Sequence, residues 1–144
     1  MNEILQVHHG EQLLAIIVTA RFQQPGIHFV TSNELSQQLA YMNYPAGKSI
    51  PPHVHNSVAR EVFFTQETLF IKKGKLRVDF YNAQQQYLES RVLAAGDVIL
   101  LVQGGHGFEV LEPLEMIEVK QGPYAGDMDK TRFVPNLPAQ LNIR

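Results

Sequence analysis

The sequence predicts an all-β domain, and three features predict it: many short apolar or alternating segments, turn residues between them at near-regular spacing, and no sustained helical periodicity. A series of short strands buries its apolar face by stacking or closing into a sandwich or barrel.

Strands are expected over residues 12–19, 27–30, 38–44, 62–72, 76–81, 87–93, 97–102, 108–111 and 114–120. Within 76–81, Leu76, Val78 and Phe80 alternate with Arg77, Asp79 and Tyr81, which gives one buried and one wetter face. Gly74 reads as a tight hairpin turn, with Asn82-Ala83 and Glu112-Pro113 as further turns. Residues 31–38 carry helix-capping types but soon meet Pro45, so at most one helical turn is expected. His8 and His9 read as solvated residues ahead of the first strand, and His28 as a hydrogen-bonded or surface histidine. From Gly122 onward, Pro123, Pro135 and Pro138 interrupt any period, so an irregular C-terminal tail is expected to lie on the barrel or reach a partner subunit.

The 144 residues suit one domain, spanning 1–144 with a core over about 38–120. A hydrophobic content of 44% and a charged content of 18% are ordinary for a globular protein, and a net charge of −2 provides no basic field for nucleic acid or an anionic membrane. No apolar run reaches the roughly 18 residues of a membrane span, and residues 1–8 lack a basic leader region, so a cytoplasmic location is expected. The chain has no cysteine, which excludes disulfides and thiolate chemistry and leaves nitrogen and oxygen to hold any metal.

His53 and His55 form the pattern richest in chemistry. Side chains two residues apart share a face on a strand but lie about 200° apart on a helix. Pro51 and Pro52 disfavour a helix here, so an extended segment would aim both imidazoles one way. Glu67 follows in a strand-like run, and Gly104-Gly105-His106 ends a later apolar strand, returning the chain toward the same point. His53, His55, Glu67 and His106 would surround one divalent ion and leave exchangeable positions open.

These residues resemble the cupin superfamily. Gly47, His53, His55, Glu67 and Gly74 follow its first motif, except that eleven residues separate His55 from Glu67 where three or four are usual. Glu61 lies nearer the usual interval, but only Glu67 has a glycine at the motif's distance. Gly96, Gly104 and His106 follow a degenerate second motif, in which Val102 replaces a proline and Val110 the terminal asparagine. The resemblance implies a double-stranded β-helix (jelly-roll) barrel with iron, manganese, nickel or zinc in its mouth, and a homodimer.

The function expected on this basis is metal-dependent catalysis on a small oxygen-bearing substrate, of oxygenase, decarboxylase or isomerase type. Glu61 and Tyr124 are the candidate catalytic acid or base, and Arg60 and Gln103 the candidate substrate contacts. Two alternatives stand beside it: a non-catalytic module that binds a small ligand, and a metal-free cupin that modifies a sugar nucleotide with a histidine–acid pair as general base.

Overall fold

A computed structural model describes residues 4–144; Met1, Asn2 and Glu3 of the stretch read for a leader lie outside the described residues. The chain is all-β, with the strands β1 (Ile4–His9), β2 (Gln12–Val18), β3 (Gly26–Phe29), β4 (Ala40–Asn43), β5 (Glu67–Tyr81), β6 (Tyr87–Ala94), β7 (Val98–Leu101) and β8 (Gly105–Lys120). The only helical element among the described residues is one 3₁₀ turn, Gly126–Met128, and no helix is long and apolar enough to cross a membrane.

Six strands form one curled antiparallel sheet organised around β5. On one side, β8 pairs with β5 from Glu67↔Lys120 to Tyr81↔Gly105. On the other, β7 covers the first part of β5 and β6 the second, and β2 and β1 extend the sheet beyond β7. The inward face carries the core: Val7, Leu14, Ile17, Leu69, Ile71, Leu76, Val78, Phe80, Leu93, Ile99 and Leu101 are buried together. On β5 and β7 the core residues follow the two-residue period of a pleated strand. β3 and β4 form a separate two-stranded sheet.

Three expectations change at this level. The turn signals at Gly74 and at Glu112-Pro113 are not hairpins; both lie inside long continuous strands and face each other where the β5–β8 register shifts. Gly74 has φ +91°, and a Cβ there would stand 2.8 Å from the Pro113 carbonyl carbon and 3.1 Å from the Glu112 oxygen. Only glycine accepts that φ and that approach at little cost, so one bulged bend curves both strands together. Pro113 is tolerated because β8 is an edge strand, where a missing N–H removes no sheet bond.

His8 and His9 do not precede the first strand but end β1, where the register shifts after the buried Val7. The segment carrying His53 and His55 is not a strand, because residues 44–66 contain neither helix nor strand and β5 begins only at Glu67.

The irregular tail lies on its own sheet. Ser90 N donates to Asn142 O at 2.8 Å and Arg144 N to Ser90 O at 3.0 Å. Beneath this contact, the Ser90 hydroxyl donates to buried Asp79, which also accepts two bonds from Arg77, while Tyr87 meets Ser90 Oγ at 2.7 Å. These bonds satisfy a carboxylate that would otherwise be costly to bury.

Candidate active site

The curl of the sheet brings the two ends of β5 to one place. Glu67, at its start, pairs with Leu101 at the end of β7; from there three residues, Val102, Gln103 and Gly104, lead into β8. Gly104 fits this crossing because a Cβ would meet the Leu14 side chain at 2.9 Å and the Tyr81 carbonyl at 3.0 Å. His106 then pairs with Phe80 near the far end of β5, with its side chain on the face of the core residue opposite it. The result is 3.7 Å between His106 Nε2 and Glu67 Oε2, between residues thirty-nine positions apart in sequence.

Both groups line a cavity of about 850 Å³ together with Gln103, Tyr81, Phe63 and Phe64. That volume lies within the range of small-molecule sites. Residues 128–133 of the tail form another wall. Asp129 holds that wall in place, accepting a hydrogen bond from the Thr65 hydroxyl and lying 3.8 Å from Lys120 Nζ.

Burial raises the Glu67 carboxyl to about 7; a hydrogen bond to Glu118 and that residue's negative charge push the same way, against Lys120 and Lys130. The His106 pKa is lowered, first by burial and then by the positive charge of Lys130, against the pull of Glu118. The distance between them would suit an ion pair, yet both shifts favour the uncharged forms. Near neutral pH the arrangement is therefore a carboxyl group that readily gives a proton beside an imidazole free to take one.

Of the residues the sequence singled out, the structure places Glu67, His106 and Gln103 on this cavity. Glu61 lines an adjoining hollow of about 300 Å³ that shares Phe63, Phe64 and Gln103 with it. Arg60 and Tyr124 are exposed and line neither. His53 and His55 lie on the exposed stretch 45–64, their ring centroids 5.2 Å apart and His53 Nδ1 3.0 Å from Pro51 O. Among the described residues no three His, Asp or Glu side chains converge as a metal-holding group: Glu67 stands beside His106, and His53 beside His55 on the irregular segment.

Glu118 and Lys130 were not anticipated as parts of the site. No sequence motif marks Glu118, and its approach to Glu67 depends on the β5–β8 register. Lys130 sits in an aperiodic tail whose path no local pattern encodes.

Comparison with protein-family models, curated proteins and solved structures gave no match.

Proposed function

We propose that the curled sheet is the half-barrel of a cupin-type jelly roll, and that its mouth is an acid–base site acting on a small molecule. The observation that carries this reading is the Glu67–His106 pair, 3.7 Å apart in the wall of the large cavity. His106 Nε2 takes a proton from a carbon beside a carbonyl, and the Glu67 carboxyl gives one to the carbonyl oxygen, so the electron pair of the broken C–H bond ends in an enol. Return of the protons, to the same or the neighbouring carbon, restores or isomerises the molecule. A positioned acid and base of this kind accelerate proton transfer by about 10²–10⁴-fold each.

Proton transfer can be read before the substrate is known. Incubation with a panel of small aldehydes, ketones and keto acids in D₂O, followed by mass spectrometry, should show deuterium entering at carbon, and Glu67→Gln and His106→Gln should each slow it by about 100-fold or more. Exchange that persists in both variants would remove the reading. A bound ligand with no exchange in the wild-type protein would favour the binding-module alternative.

The homodimer is retained as part of this proposal. Phe70 and Ile117 pair across β5 and β8 and are substantially exposed, as is Val119 beside them. Sedimentation velocity at micromolar concentration measures the state, and a single monomeric species would remove the pair.

A further inference from the structure

We propose that the tail wall of the cavity is an anion-binding surface, and that the site takes a small organic anion built on an apolar ring. This rests on the acid–base reading for the chemistry but on a different part of the cavity for recognition.

Lys130 and Arg132 both line the cavity, two residues apart on the same tail segment. Among the described residues neither has an acidic partner within ion-pair distance, whereas Lys120 is matched by Asp129 and Lys75 by Glu112. Asp129, the nearest acid in sequence, is already engaged by Thr65 and Lys120. Two cations without a close ion-pair partner thus border a cavity whose own carboxyl, Glu67, is held toward its neutral form by its surroundings. A ligand carrying a carboxylate or phosphate supplies the missing charge.

The segment that presents them is tied at both ends. Asp129 is bonded to Thr65 on one side, and the Phe133 ring meets Tyr81 edge-to-face at 5.1 Å on the other. Holding the two cations between fixed points reduces the ordering cost of binding. The rest of the lining sets the body of the ligand: Phe63 and Phe64 border the cavity yet are 82% and 63% exposed, so their rings lack cover. An apolar ring placed against them removes that surface from water. The cavity has room for a ring and an anionic group together.

Isothermal titration calorimetry with phenylacetate, phenyl phosphate, benzyl alcohol and acetate tests this directly. Both ring-bearing anions should bind, the tighter of the two showing whether a carboxylate or a phosphate is preferred. Benzyl alcohol, which lacks the charge, and acetate, which lacks the ring, should bind at least about tenfold more weakly. The double variant Lys130→Ala/Arg132→Ala should weaken both ring-bearing anions by about tenfold or more, and higher salt should weaken them in the wild type. Lys72→Ala, an exposed lysine absent from the cavity lining, should leave binding unchanged. Equal binding of benzyl alcohol and phenylacetate, unaltered binding in the double variant, or no binding of either ring-bearing anion at millimolar concentration would each overturn the proposal. Calorimetry reads the tail cations and deuterium exchange reads Glu67 and His106, so failure of one is distinguishable from failure of the other.

Discussion

Replacing Gly74 with alanine introduces a methyl group where the chain has neither the backbone conformation nor the space for one. At φ +91° an L-residue is held in left-handed territory, which costs about 1–2 kcal/mol. The new carbon would also lie 2.8 Å from the Pro113 carbonyl carbon, so β5 and β8 must separate at their shared bend, at a further cost of about 1–3 kcal/mol. Together the terms amount to about 2–5 kcal/mol. Unfolding entropy of about 2.1 cal/mol/K per residue gives about 0.3 kcal/mol/K for a chain of 144 residues, so the midpoint should fall by about 7–16 °C. Gly47→Ala is the matched control: its φ is +88°, but an added Cβ meets nothing within 4 Å. It retains only the first term and should lower the midpoint by no more than about 3–7 °C. Differential scanning calorimetry of the two variants measures the difference. Equal shifts, or a loss below about 0.5 kcal/mol for Gly74→Ala, would refute the idea that close approach at this bend shapes the sheet.

Other consequences follow from the same contacts. With the Glu67 carboxyl raised from 4.5 to about 7, the folded state binds a proton more tightly than the unfolded chain, so this contribution is full below pH 4.5 and is lost as pH rises through 7. Urea titrations should show Glu67→Gln losing less stability than the wild type between those limits; parallel profiles would contradict the assignment. His106 acts in the opposite sense, since its lowered pKa contributes stability that is present above 6.5 and declines as pH falls below it, and His106→Gln should remove that decline. Deuterium exchange by the wild type should survive dialysis against a chelator, and its loss on chelation with recovery on adding a divalent ion would return the metal reading to first place. Ser90→Ala removes a fully buried hydroxyl that donates to Asp79, at a cost of about 1–3 kcal/mol. Amide exchange at Asn142 and Arg144 should quicken as the tail contact loosens, and unchanged protection there would separate the hydroxyl from the tail.

Much of the strand content was legible because Leu76, Val78 and Phe80 and the apolar runs at 12–18 and 98–101 mark segments that enter the core; the two runs are buried as nearly continuous stretches, and Asp79 and Tyr81, expected on the wetter face of 76–81, are buried as well. β1 was not, since Val7 is its only fully buried residue and the shift beyond it disturbs the alternation. Glu67 and His106 drew notice through chemistry and glycine spacing; their adjacency depends on the length of β5 and the short crossing from β7, which no local pattern measures. Residues 51–55 show the converse: proline excluded a helix, but nothing nearby supplied a strand to pair with, and the segment remained irregular.

The amino-acid order alone determined the class of structure, the absence of thiol chemistry and the residue types from which a site can be made, since these follow from side-chain chemistry and near-neighbour periodicity. Tertiary structure alone decided that Gly74 and Pro113 form one bend rather than two turns, that Glu118 and Lys130 act on Glu67, and that Glu67 stands beside His106. Those outcomes depend on distances between segments far apart along the chain, and such distances are set only once the sheet has closed on its core.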